Sequence, residues 1–188
     1  MNKPLPTLII VSGPPGAGKS TLARPLATSL NLPLLEKDQV KERFADALGE
    51  HAANISSNIG LAAVKQIIAT ADELLRAGHG VILESFFHKG VSEDDLAPLL
   101  QHSRAVLVHV MAEDELILSR FERRVSDPDR HPIHNDGDRL GDLRQYLTEG
   151  VADILDLDCP HIVIDTTYGP VDPEEVAFMV RDELDPEE

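Results

Sequence analysis

Short apolar runs alternate with longer amphipathic stretches along this chain. Thr7-Leu8-Ile9-Ile10-Val11 is one such run, rich in β-branched residues, and others occur at 33–35, 80–84, 105–110 and 161–165. Brief continuous apolar runs of this kind predict strands buried on both faces. Between them the apolar residues fall at helical spacing, as in Leu22, Ala23, Leu26, Ala27 and Leu30. The same pattern predicts helices over 19–30, 38–48, 55–77, 92–101, 113–124, 138–156 and 173–184. Gly78 and Gly80 bracket the end of the third helix and the start of the third strand, as a C-cap and turn would. Asp172-Pro173 fits an N-cap followed by proline at the first helical position. Strands that alternate with helices imply an α/β protein with a mainly parallel sheet. Neither a repeat nor a low-complexity linker interrupts the pattern. A length of 188 residues suits a single domain over 1–188 with a core of useful size.

One segment departs from the alternation. Residues 125–137 carry two prolines and a glycine and few apolar side chains. A connection of this length is usually functional or mobile. It follows Arg120, Arg123 and Arg124 and contains Arg130. A lid over about 120–137 is expected there, closing over a bound substrate.

Charge narrows the partners. The chain has 17 Lys and Arg against 33 Asp and Glu, a net charge of −16. Nucleic-acid binding needs a basic footprint, so nucleic acid is not the expected main partner. The acidic residues Asp182, Glu183, Asp185, Glu187 and Glu188 read as a solvated tail. The lone Cys159 excludes an internal disulfide and fits a reducing cytoplasm. Beside Pro160 it reads as a small core residue. No apolar stretch is long enough to span a membrane, and Met1-Asn2-Lys3-Pro4 is too short and polar for a signal peptide ahead of the first strand.

The chemistry gathers after the first strand. Gly13-Pro14-Pro15-Gly16-Ala17-Gly18-Lys19-Ser20-Thr21 contains G-x-x-x-x-G-K-S, the phosphate-binding P-loop. Its glycines let successive backbone N–H groups turn inward toward an anion, and the helix that follows adds its positive end. Lys19 would reach the β- and γ-phosphates, and the Ser20 hydroxyl would ligate Mg²⁺. Strand, glycine loop and helix in succession is the context this motif requires.

Transfer of a phosphoryl group also needs a metal, positive charge on the transferring oxygens and a group to orient the acceptor. Asp38 lies just past the second predicted strand, at the sheet edge where α/β proteins bind ligands. It could accept a substrate hydroxyl proton, or simply cap the helix 38–48. Arg43, further along that helix, could hold an anionic part of the substrate. Glu84 closes the third strand and could hold Mg²⁺ through water, contact substrate, or bond a neighbouring loop. Arg120 and Arg124 share a helix face and could bear on the phosphates, as could Arg130; the alternative is surface pairing with nearby carboxylates. His131-Pro132-Ile133-His134 lacks the further ligands a zinc site needs, so substrate contact or lid packing is expected of it. No second acidic strand ends in Asp-Glu, which favours a small kinase over a motor ATPase.

Four segments together resemble a known group: 11–21, Leu-Pro-Leu-Leu-Glu-Lys-Asp at 32–38, Val-Ile-Leu-Glu-Ser at 81–85, and Arg-His-Pro-Ile-His-Asn-Asp at 130–136. The chain resembles the P-loop small-molecule kinases of the AAA_33 family. These are similar to polynucleotide kinase, zeta toxins, gluconate and shikimate kinases and chloramphenicol phosphotransferase. The histidine loop is similar to one that commonly reads His-Pro-Gly-His, with Ile133 here in place of the glycine. The resemblance implies a three-layer α/β/α fold with a five-stranded parallel sheet of order 2-3-1-4-5. It implies ATP and Mg²⁺, Asp38 as the base and an arginine lid, and it puts Asp165, Thr166 and Thr167 near the adenine. The expected activity is transfer of the γ-phosphate of ATP to a hydroxyl of a sugar, nucleoside or antibiotic-like molecule. A 5′-hydroxyl nucleic-acid kinase and an ATP-binding regulator or toxin-type protein are the alternatives.

Overall fold

The computed structural model describes residues 4–185. Its strands are β1 (Thr7–Ser12), β2 (Leu34–Glu36), β3 (Val81–Glu84), β4 (Arg104–Met111) and β5 (His161–Asp165). They pair in parallel throughout, in the order β2-β3-β1-β4-β5. The helices are α1 (Lys19–Leu30), α2 (Lys37–Leu48), α3 (Ser56–Arg76), α4 (Glu93–Leu100), α5 (Asp114–Val125), α6 (Leu140–Thr148) and α7 (Pro173–Leu184).

The three layers follow from the period of two in a strand, which sends successive side chains to opposite faces. Ile9 and Val11 of β1 point to one face with Ile82, Val108 and Ile164, where Leu22 and Leu26 of α1 and Val176 and Val180 of α7 cover them. Leu8 and Ile10 point to the other face with Leu83 and Leu107, beneath Ile67 and Leu75 of α3 and Leu96 and Leu99 of α4. Each such side chain taken fully out of water stabilises the fold by about 1.5–3 kcal/mol. β1 is central, with both neighbours reached by crossovers. Its C-terminal end is therefore at the point where strand order reverses, and ligands of open α/β sheets bind there.

Two expectations need correction. The helix predicted over 138–156 ends at Thr148, because Gly150 takes φ +73 and breaks the ladder. Residues beyond it run irregularly, with Leu155 buried against α3 and α4 and Cys159 partly buried beside it. The acidic end is only partly a free tail: Asp182 and Glu183 belong to α7, and Asp185 accepts from Arg104 at 2.8 Å. Glu187 and Glu188 lie outside the described residues, as do Met1, Asn2 and Lys3, on which the signal-peptide expectation fell. No helix among the described residues is long and apolar enough to cross a membrane.

Candidate active site

The P-loop leaves β1 and is pressed against its neighbours. A Cβ on Gly13 would stand 2.0 Å from the Val110 carbonyl oxygen, and one on Gly16 would stand 2.7 Å from that of Ile117. Both glycines also have positive φ, +134 and +92, which disfavours a side chain. The loop therefore sits on the end of β4 and on α5 with its backbone curled. Gly18 precedes α1 with φ 97, and no side chain caps the helix and no acidic residue occupies its first turn. The first N–H groups of α1 are left to an anion.

Lys19 is buried and donates to the Pro14 carbonyl at 3.0 Å. Burial lowers its pKa, and Glu84 and Asp38 only partly restore it. Ser20 Oγ donates to Glu84 Oε2 at 3.0 Å. Burial pushes the Glu84 carboxyl up, against the pull of Lys19. A hydroxyl and a buried carboxylate beside the phosphate loop form an oxygen donor pair of the kind Mg²⁺ takes. The residues present fit that ion.

Two cavities open from this point. The first, about 630 Å³, is bounded by Gly16, Gly18, Thr21, Arg120, Thr166 and the Pro170-Val171 turn. Arg120 forks onto Thr166, Nη1 donating to Oγ1 and Nη2 to the carbonyl, each at 2.9 Å, and Nη1 also reaches the Gly16 carbonyl at 3.4 Å. Thr166 Oγ1 in turn donates to the Ala17 carbonyl at 2.8 Å. Arg120 is a strut that ties the P-loop to the turn after β5.

The second cavity, about 590 Å³, runs between α2, α3, the segment after β3 and the loop before α6. Asp38 stands in it, in the first turn of α2, and makes no cap bond. Lys37 Nζ and Arg130 Nη2 each lie 3.0 Å from its carboxylate, and His134 Nδ1 lies at 3.8 Å. Burial pushes Asp38 up, but these three partners outweigh it and hold the carboxyl well below the usual range. Such a carboxylate is a weak base and a firm hydrogen-bond acceptor. Asp136 holds both Arg124 of α5 and Arg130 of the loop after it. Arg130 Nε donates to its Oδ2 at 2.8 Å and Arg124 Nη2 to its Oδ1 at 3.1 Å. Lys19, Ser20 and Arg124 line both cavities.

The loop before α6 is docked on α2. Ile133 is buried with Ala45, Ala52 and Ile59, in a 3-10 turn over Pro132–His134. The left-handed residue of this segment is Asn135, at φ 53. His131 Nδ1 accepts from the Ile133 N–H at 3.1 Å, which leaves the ring proton on Nε2, 3.2 Å from Asp46. His134 Nε2 lies 2.7 Å from Glu42. The two histidines fasten the loop to α2 and are not part of a shared ligand cluster.

The sequence profile of the AAA_33 family, an AAA domain, matches residues 8–149. The chain belongs to the AAA_33 family. It is 31% identical over 191 residues to a cytidylate kinase of Sulfolobus acidocaldarius, a match covering 92% of this chain and 91% of that one. It is 32% identical over 96 residues to a shikimate kinase of Corynebacterium efficiens, covering 47% of this chain and 55% of that enzyme. It thus spans about half the length of that relative. Among solved structures, a candidate kinase from Chloroflexus aurantiacus is 32% identical with a TM-score of 0.86, covering 96% of this chain and all of the other. The fold is that of the P-loop kinases, with the sheet order observed above.

Within this AAA_33 protein most of the sequence-named residues converge. Gly13 to Thr21, Asp38, Glu84, Arg120, Arg124 and Arg130 surround the two cavities or the loop between them. Arg43 does not join them. It is exposed and donates only to Gln39, at 3.4 Å. Five residues along a helix turn it about 140° away from Asp38, off the cleft. Asp165 is also outside, exposed and turned back to accept from the Thr167 N–H at 2.8 Å. Thr166 is buried behind the P-loop, where it anchors Arg120. Lys41, Asp136, Arg139, Phe86 and Tyr146 line the second cavity without having been named for it. Of these only Lys41 had a legible signal, its place at i+3 from Asp38 on one helix face.

Proposed function

We propose that this protein is an ATP-dependent kinase that moves the γ-phosphate of ATP to a hydroxyl of a small molecule. One observation carries the reading. Two cavities of about 630 and 590 Å³ meet at Lys19, Ser20 and Arg124, and the second holds an acidic side chain, Asp38.

Nucleotide enters the first cavity, with its phosphates on the P-loop N–H groups and Lys19. Mg²⁺, held by Ser20 with Glu84 behind it, would supply neutralisation of the charge on the phosphate oxygens. Arg124 lies at the junction, where it can meet charge on the transferring group. Asp38 accepts a hydrogen bond from the acceptor hydroxyl and aims its oxygen at the phosphate. Its low basicity favours orientation of the hydroxyl over early removal of its proton. The loop 126–137 is the lid. It roofs the second cavity through Arg130, His134 and Asp136, with Ile133 seating it on α2, and excludes water from the transfer point.

A cavity of this size, in a chain of net charge −16, suits a small molecule better than a nucleic-acid end. Use of ATP and an unpaired Cys159 fit a cytoplasmic setting. The test is ATP consumption across sugars, nucleosides and antibiotics, with mass analysis of products. A phosphorylated product with wild-type protein and none with Lys19→Ala is expected. Tight ATP–Mg²⁺ binding with no product from any class would count against transfer and for a regulatory nucleotide switch.

A further inference from the structure

Lys41 is 3% exposed, yet its ammonium has no carboxylate within 4.0 Å among the described residues. Its hydrogen-bond partner is Ser56 Oγ, at 2.9 Å, and Ser56 gives its own proton to the Ile133 carbonyl at 2.7 Å. A neutral hydroxyl does not balance a buried charge, and a buried ammonium without a counter-ion is costly. The neighbours add to the cost. Burial, then repulsion from Lys37 and Arg139, lowers the Lys41 pKa to about 8, and the more distant Asp38 and Asp136 offset this only in part. Arg139 lines the same cavity and forms no ion pair among the described residues.

The carboxylates of the cavity are committed elsewhere or lie at its rim. Asp38 is held by Lys37 and Arg130, Asp136 by Arg124 and Arg130, and Asp95 by Lys65 at 2.6 Å. Glu84 accepts from Ser20, while Asp138 and Asp142 are exposed. Lys41 is the buried cation left over. Gly60 of α3 faces it; a Cβ there would lie in ordinary contact, 3.9 Å from its Nζ. The rings of Phe86, His88 and Tyr146, with centroids 4.4–5.8 Å apart, line the same cavity.

We propose that the acceptor carries an oxyanion, a carboxylate or a phosphate monoester, which Lys41 and Arg139 bind one helical turn along α2 from Asp38 while the acceptor hydroxyl faces Asp38. This deepens the kinase reading above and rests on it for the hydroxyl. The attacking group itself is not the anion, because the ionised Asp38 repels a second negative charge at the transfer point. A neutral sugar would leave Lys41 buried without a counter-charge in the ternary complex. An acidic one brings the missing charge and fixes which hydroxyl reaches Asp38.

Two measurements test this, the first without turnover. Inorganic phosphate is titrated into protein whose donor cavity is filled with a non-hydrolysable ATP analogue and Mg²⁺, with calorimetry for affinity in wild type and variants and lysine side-chain resonances for the site. Phosphate is expected to shift the Lys41 resonance. Lys41→Met and Arg139→Gln should each weaken binding by about 10- to 100-fold. Arg139 is half-exposed, so that variant keeps the test valid if Lys41→Met folds poorly. Equal phosphate affinity in wild type and both variants overturns the proposal.

The second measurement compares neutral polyols, hydroxycarboxylic acids and sugar or nucleoside monophosphates as acceptors. One of the two anionic sets should lead, and the leading set identifies the oxyanion. Lys41→Met should raise the KM for that acceptor and leave the KM for ATP within about twofold. A neutral polyol as best acceptor, with its KM unchanged in Lys41→Met, overturns the proposal. Phosphate binding through Lys41 with no acceptor turned over supports the anion site and counts against the kinase reading.

Discussion

Arg130 Nη2 donates to Asp38 Oδ2 at 3.0 Å, joining the loop after α5 to the first turn of α2 across 92 residues of sequence. The same guanidinium donates through Nε to Asp136 at 2.8 Å. Asp38, proposed to orient the acceptor, and the loop proposed as its lid thus share one charged network, and each change to it should register in both.

Asp38→Asn removes the charge and keeps the shape. The expected result is a fall in kcat of about 10²–10⁴-fold with little change in ATP affinity. Arg130, Lys37 and His134 keep the carboxyl ionised, so no acid limb of the rate profile belongs to Asp38 between about pH 5 and pH 8. An acid limb in that range that vanishes in Asp38→Asn contradicts this assignment.

Asp136→Ala strips both arginines of a shared partner. Its carboxyl sits below the usual range because Arg130 and Arg124 outweigh the upward push of burial. A carboxyl depressed on folding stabilises above its unfolded value, near 3.9, and loses that stability as pH falls through the folded value. The variant should cost about 1–3 kcal/mol at neutral pH, less than a fully buried pair because Arg124 and Arg130 retain some solvent. Urea denaturation at pH 7 measures it. No difference from wild type contradicts the network.

Arg120→Lys loses the fork onto Thr166. Because that fork shapes the donor cavity, KM for ATP should rise about tenfold with kcat nearly unchanged. A drop in kcat at constant KM would instead put Arg120 on the transferring phosphate.

How far the sequence carries depends on how local each role is. Gly13 to Ser20 is legible because one turn of backbone and one helix start contain the whole phosphate cradle. The loop around Arg130 is legible as a loop from its prolines. Its seat on α2 is not, since Ile133 meets Ala45 and Ile59 only through the tertiary fold. Arg43 and Lys41 show the difference within one helix. Both are basic and near Asp38, but helical phase turns Lys41 into the cleft and Arg43 to solvent. Asp136 in the loop and Arg139 just past it owe their places to how the loop folds back on the cleft, where no periodicity marks them.

Lys41→Met should stabilise the unliganded protein. The sign follows from proton binding. A lysine lowered to about 8 on folding carries its full burial cost below that pH, where both states are charged. Between about 8 and 10.4 the unfolded chain binds more protons, so wild-type stability rises with pH and the cost fades. Melting should therefore favour Lys41→Met by a few degrees at pH 7, with the gap shrinking toward pH 10. A lower melting temperature for the variant at pH 7 contradicts an uncompensated charge.

Phosphate that crosses from the P-loop cavity to a hydroxyl beside Asp38 leaves a product whose phosphorus reports the bond formed. The most direct measurement is ³¹P NMR of the product formed from ATP and the best acceptor, with wild type, Lys19→Ala and Asp38→Asn side by side. A phosphate ester coupled to a carbon-bound proton is expected from wild type, and its loss in both variants. A phosphoanhydride product, or an ester formed equally well by Asp38→Asn, would contradict that transfer.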